Sequence, residues 1–184
     1  MDIKHIIKKR LQDYYKKKII FNVRNKGQSF DFKGIKKTAL LFFIRSKTDL
    51  DLVRGAVKTA RKFNEKSYPV IFSDVNYNVD IITDRDFFIF NADDFNYKWK
   101  PKSNLSKWLE GNNFDLLINF CFDGRPETTN LYTLLRSKFR IANQNPNSFQ
   151  YNDLTINIKE KQVDFNSFYN LAIDNLRMLN IRRN

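Results

Sequence analysis

From residue 38 onward, apolar runs of strand length alternate with segments whose apolar residues recur at helical spacing, and this alternation leaves few ways to fold. "TALLFFI" (38–44) is apolar throughout after its threonine, which suits a strand covered on both faces. In the following "RSKTDLDLVRGAVKTARKFNEK", Leu50, Val53, Val57 and Ala60 form a helical stripe, opened by Thr48 and Asp51 at capping-box spacing. "YPVIFSDV" (68–75) predicts a second strand and "DFFIFNADDF" (86–95) a third, with "IITD" between them readable either as a helical turn or as an extra strand. "SNLSKWLE" (103–110) predicts a short helix stopped by Gly111. A fourth strand "FDLLINFCF" (114–122), a helix "ETTNLYTLLRSK" (127–138) and a fifth strand "FRIAN" (139–143) follow. "LTINIK" (154–159) alternates with period two, as at a sheet edge. The last helix, about 164–178, carries Phe165, Phe168, Leu171, Ala172 and Leu176 near helical spacing, with Leu179 just beyond.

Strands separated by helices pair in parallel through right-handed crossovers, because each returning helix must cover the sheet. The expected fold class is therefore α/β: a three-layer, Rossmann-like sandwich around a mostly parallel sheet, with a basic N-terminal helix in front of it. A chain of 184 residues is long enough for one such core and short for two, and 18 Phe with 8 Tyr supply its bulk. The expected division is residues 1–37 as helix and linker and 38–184 as a single α/β domain.

Charge is unevenly distributed. Residues 1–37 hold 12 of the 33 basic residues and only Asp2, Asp13 and Asp31 as acids, a net charge of +9, whereas the other 147 residues carry +4. "DIKHIIKKRLQDYYKKK" places Ile3, Ile7, Leu11 and Tyr14 or Tyr15 along one helical face, with the cations elsewhere. The polar stretch 22–37, with Gly27 and Gly34, reads as a linker or loose hairpin. Lysine and arginine release counterions when they meet phosphates, so the leader predicts an RNA or ribosome contact. The residues expected to make it are Lys8, Lys9, Arg10, Lys16, Lys17, Lys18, Arg24, Lys26, Lys36 and Lys37, with Tyr14 stacking on an unpaired base. An anionic membrane surface is a second reading of the same helix, and packing on the domain a third. RNA is placed ahead of membrane because the apolar face is narrow and has no Trp.

Several chemistries lack their residues. Gly27, Gly34, Gly55, Gly111 and Gly124 are scattered, so neither G-x-G-x-x-G nor a P-loop follows any strand, and classical dinucleotide binding and P-loop NTPase activity are not expected. The single His5 lies in the leader, far in sequence from Cys121 and from Ser46, Ser73 and Ser103, which leaves no histidine triad or His-rich metal site. Cys121 sits inside an apolar strand as a small hydrophobe, and one cysteine forms no internal disulfide, as in a reducing cytoplasmic compartment. No secretory signal and no run of about 18 apolar residues occurs, so no transmembrane segment is expected.

Residues 74–97 carry six aspartates against Arg85, a net charge of −5, read as turn and helix-start chemistry rather than as a metal site. Asp74 follows a strand directly. In "DGRP" (123–126), Gly124 can supply a positive φ and Pro126 fits a first helical turn, but a turn does not require Arg125. Asp74, Asp123 and Arg125 are therefore the candidate ligand-binding residues, at the carboxyl ends of strands where open α/β sheets bind ligands. No catalytic residue, cofactor or metal is expected, and the function expected is that of a non-enzymatic cytosolic protein.

The basic leader, "FDLLINFCFD" with the helix after it, and "LLRSKFRIAN" resemble a family of small bacterial proteins known as a domain of unknown function, in which an "FDLLI" strand and helix precede a "SKAKFKVG"-like segment. Here Asn143 stands where a glycine is common. The resemblance covers most of the chain and implies the fold. The same strand and helix are similar, more weakly, to nucleotide-sugar glycosyltransferase domains of the heptosyltransferase type, which implies a degenerate ligand-binding domain as the alternative function. A protein-interaction module is the other alternative.

Overall fold

The computed structural model describes residues 34–74, 87–122, 125–143, 152–157 and 164–181. The elements run β1 (Thr38–Ile44), α1 (Lys47–Arg61), β2 (Ser67–Ser73), β3 (Phe88–Phe90), α2 (Ser103–Gly111), β4 (Asn113–Asn119), α3 (Pro126–Leu134), β5 (Arg136–Asn143), β6 (Leu154–Ile156) and α4 (Phe165–Ile181). Six strands form one sheet in the order β3-β2-β1-β4-β5-β6, and every neighbouring pair is parallel. This is the doubly wound, Rossmann-like arrangement, and it fixes the strand order that the sequence left open.

Alternation of side chains along the strands feeds two separate cores. Leu40, Phe42 and Ile44 of β1 join Leu116, Ile118 and Phe120 beneath α1 and α4. Ala39 and Leu41 join Val70, Leu117 and Cys121 beneath α2 and α3. Three layers result, with the central strands buried on both faces as their unbroken apolar runs require. Aromatic rings fill the first core: Phe42 stacks on Phe120 at 4.6 Å between centroids, and Phe165 meets both edge-on at 5.2 and 5.6 Å.

Four local expectations are corrected. The N-cap of α1 is Ser46, whose side chain accepts from the Asp49 amide while the Asp49 carboxylate reaches back to the cap. The expected pair, Thr48 and Asp51, already lies inside the helix. With β1 ending at Ile44, only Arg45 and Ser46 are left to turn the chain, so the helix starts two residues early. Helix α3 ends at Leu134 rather than near Lys138, because Arg136 and Ser137 pair in register with Asn113 and Phe114. The third strand is only three residues long. Beyond it, Asn91 and Asp94 cap a 3-10 turn over Ala92–Asp94, a local solution that competes with the sheet ladder. On α4 the buried stripe is Phe168, Tyr169, Ala172, Ile173 and Leu176, while Leu171, Met178 and Leu179 are exposed.

The loop into α2 holds one unusual backbone. Trp99 has φ 55°, a left-handed value rare for a bulky residue. Its ring is buried against Phe95 at 5.4 Å, its amide donates to the Asn96 carbonyl, and its carbonyl accepts from the buried Asn130 amide of α3 at 2.9 Å. These contacts offset the strain, which is of the order of 1–3 kcal/mol.

Candidate functional site

In a sheet of this order the crossovers leave β1 and β4 toward opposite faces. The carboxyl ends of these two strands flank the crevice where doubly wound folds bind ligands. Asp74 and Arg125 meet there. Asp74 follows β2 and donates its amide to the Ile44 carbonyl at the end of β1. Arg125 is the N-cap residue of α3, and its Nη1 lies 3.0 Å from Asp74 Oδ2, bridging the end of β1 from both sides. The guanidinium also rests 4.5 Å from the centroid of the half-buried Phe43 ring, which Arg45 approaches to 5.2 Å.

The ion-paired side chains are 34% and 44% exposed, so their attraction contributes only about 0–1 kcal/mol. Its effect is positional: a planar donor group is held over an aromatic ring at the mouth of the crevice.

The two helix starts beside this crevice differ. At α1, Asp49 Oδ2 accepts from the Arg45 and Ser46 amides at 2.7 and 3.0 Å. A phosphate placed there would face a carboxylate already in position, which agrees with the missing glycine loop. At α3 the cap makes no side-chain hydrogen bond, proline occupies the first turn, and the Thr128 hydroxyl turns back to the Arg125 carbonyl at 3.0 Å. The arginine end of the crevice is thus the one whose helix is not closed by its own cap. Asp123, the third candidate there, lies outside the described residues.

Cys121 sits beneath this end of β4 as a buried thiol, its Sγ 3.8 Å from the Leu41 carbonyl. Among the described residues, no three His, Cys, Asp or Glu side chains gather as metal ligands, and no helix is long and apolar enough to cross a membrane.

Of the expected RNA contacts, Lys36 and Lys37 are described, and they lie at the opposite, amino end of the sheet. Their amides donate to Asp115 Oδ2 at 2.9 and 3.0 Å, and Lys138 Nζ reaches the other oxygen at 2.8 Å. Burial raises the Asp115 pKa, but the hydrogen bonds from Lys138 and from these two amides outweigh it, and the net shift is below the ordinary carboxylate value. The Lys37 amine is itself engaged, bonded to Asn112 Oδ1 at 2.9 Å and lying over the Phe114 and Tyr68 rings. Lys36 is exposed. Lys8, Lys9, Arg10, Tyr14, Lys16, Lys17, Lys18, Arg24 and Lys26, like His5, lie outside the described residues, as do Asp80, Asp84 and Asp86.

One polar cluster escaped sequence reasoning. Arg140 of β5 is 5% exposed, and its guanidinium donates to the Leu135 carbonyl at 2.6 Å, the Tyr132 carbonyl at 3.3 Å and Ser137 Oγ at 3.2 Å. It thereby closes the carboxyl end of α3, where carbonyls lack intrahelical partners. Tyr132 packs against it and donates its hydroxyl to Asn152 Oδ1 at 2.6 Å. Burial pushes the tyrosine pKa upward, with the arginine opposing, and lowers that of Arg140. An arginine inside "KFRIA" was the available signal.

Among solved structures, the chain is similar to the glycosyl transferase family 9 protein from Veillonella parvula DSM 2008, with TM-score 0.50 and 11% identity. The match covers 79% of this chain and 42% of that one, so the chain spans less than half of that protein's length. At this identity the likeness is one of fold, a Rossmann-like parallel sheet flanked by helices. No curated protein matches the sequence. The sequence model of the Family of unknown function (DUF6913) matches residues 4–179, nearly the whole chain, and the protein belongs to that family.

Proposed function

We propose that the protein is a non-enzymatic, cytosolic RNA-binding protein whose amino-terminal 37 residues contact phosphates. The observation that carries this reading is the charge asymmetry: +9 on residues 1–37 against +4 on all the rest. The last two cations of that segment, Lys36 and Lys37, stand where the leader joins the sheet, at the end away from the Asp74–Arg125 bridge. The test is fluorescence anisotropy of the full chain with a short single-stranded RNA at two salt concentrations. Single-strand binding loses about 0.7 of a log unit in affinity per log unit of salt for each phosphate neutralised. The variant Lys8→Glu/Lys9→Glu/Arg10→Glu is therefore expected to flatten the salt slope by about 2. Salt-independent binding, or none, removes the proposal.

A second reading rests on a separate observation, the arginine held over Phe43 at the mouth of the crevice. Here the domain is a degenerate relative of nucleotide-sugar glycosyltransferases that retains a ligand site. Thermal shift with nucleotides and nucleotide sugars is then expected to raise Tm for the wild-type chain and not for Arg125→Ala. Equal responses of the two proteins, or a flat screen, dispose of it.

A further inference from the structure

Parallel strands all begin at the same end, and in this sheet β1, β2 and β5 begin at or just after basic residues. Lys66 precedes β2, and its carbonyl accepts the Thr38 amide of β1 at 2.9 Å. Lys36 and Lys37 precede β1 and are tied by their amides to Asp115 of β4. Arg136 opens β5 in register with Asn113, and Lys138 of the same strand pairs with Asp115. Of four adjacent strands, β2-β1-β4-β5, the first two and the last thus carry cations, with Asp115 of β4 between them, along one rim spanning about 14 Å. Lys62 extends it from the end of α1, which is fixed at this rim by the Asn64 amide donating to Thr38 Oγ1. Lys36, Lys62, Lys66, Arg136 and Lys138 are all exposed. Beside Asp115, the nearby acids of the rim are Glu65, Glu110 and Asp174, the last paired with Arg177 at 3.3 Å next to Phe63. At the carboxyl end, by contrast, Arg45 and Arg125 stand with Asp49, Asp74 and Glu127, and Lys98, Lys100 and Lys102 share their loop with Asp93 and Asp94.

We infer that this amino-end rim is a second nucleic-acid-binding surface, following the leader in sequence at Lys36 and suited to a single-stranded RNA; the inference rests on the RNA reading above. The argument for this occupant is charge complementarity together with an aromatic ring at the right place. Phe63 follows Lys62 and is 51% exposed, with Tyr169 tilted against its ring at 5.9 Å and the Arg177 guanidinium over it at 5.4 Å, and a basic groove beside a half-exposed ring is the common plan for single-strand binding. Phosphates would lie along Lys36, Lys66 and Arg136, and one base against Phe63. An anionic membrane offers charge but no base to stack.

The experiment uses the full chain, a short single-stranded RNA and phosphatidylserine vesicles. Lys36→Ala/Lys66→Ala/Arg136→Ala removes three exposed cations and leaves the Asp115 contacts in place, so urea midpoints are expected to match wild type. Its salt slope is expected to fall by about 2. Phe63→Ala is expected to weaken binding about tenfold with the slope unchanged. Lys100→Ala/Lys102→Ala, at the other end of the sheet, is expected to bind like wild type. If the leader variant loses affinity while the rim variant does not, the rim is overturned and the RNA reading stands. If wild type binds no RNA, both fall, and rim-dependent binding to vesicles alone would assign the surface to a membrane and overturn the inference.

Discussion

Replacing Phe42 by alanine is expected to lower stability by about 3–5 kcal/mol, a large share of the roughly 5–15 kcal/mol that holds a domain folded. The ring is fully buried, stacked on Phe120 at 4.6 Å and met edge-on by Phe165 at 5.2 Å. It joins the central strand to β4 and to the last helix at once. Truncation loses the transfer free energy of the ring and leaves a hole between a sheet and a helix that cannot both move inward. Urea unfolding is the measurement, with the midpoint falling and the m-value held. Phe42→Leu, which keeps most of the volume, is expected to recover more than half of the loss. A midpoint within error of wild type for the alanine variant would mean that the packing described for this face is wrong.

The second large effect is expected at Arg140. Methionine at this position keeps the length and apolar stem but removes three hydrogen bonds and strands the Leu135 and Tyr132 carbonyls. Hydrogen bonds to charged groups contribute about 1.5–3 kcal/mol each when lost singly, whereas removing a buried charge returns some desolvation free energy. The expected net loss is about 2–4 kcal/mol, accompanied by faster hydrogen exchange in the last turn of α3. Arg140→Lys keeps the charge without the fork that reaches two carbonyls and a hydroxyl, so it is expected to fall between the two. If the methionine variant proved as stable as wild type, the cluster would be electrostatically neutral to the fold and only a register device.

Those two side chains also mark what the sequence could and could not disclose. Phe42 was readable because an unbroken run such as "TALLFFI" fits only a strand covered on both faces. Arg140 was not, because its value lies in carbonyls that belong to a helix end eight and five residues earlier in the chain. The same limit explains the displaced boundaries. Ser46 and Thr48 have equal claims as caps until β1 fixes where the turn begins, and "LLRSK" continues a helix until Asn113 and Phe114 draw it into the sheet. At the candidate site, Asp74 and Arg125 were each singled out from position alone. Their meeting across the end of β1 depends on strand order, which no local pattern encodes. The amino-end rim is the same kind of fact: Lys66, Lys36 and Arg136 are unremarkable lysines and an arginine until parallel pairing lines them up.

The seam between β1 and β4 carries a consequence for how the molecule is made. Lys37 and Asp115, which clasp at its foot, are 78 residues apart in the chain. Closing so long a loop is entropically costly before any contact rewards it, so the seam belongs among the late events of folding. During synthesis the edge of β1 must wait, with its apolar neighbours uncovered on one side, until the fourth strand has left the ribosome.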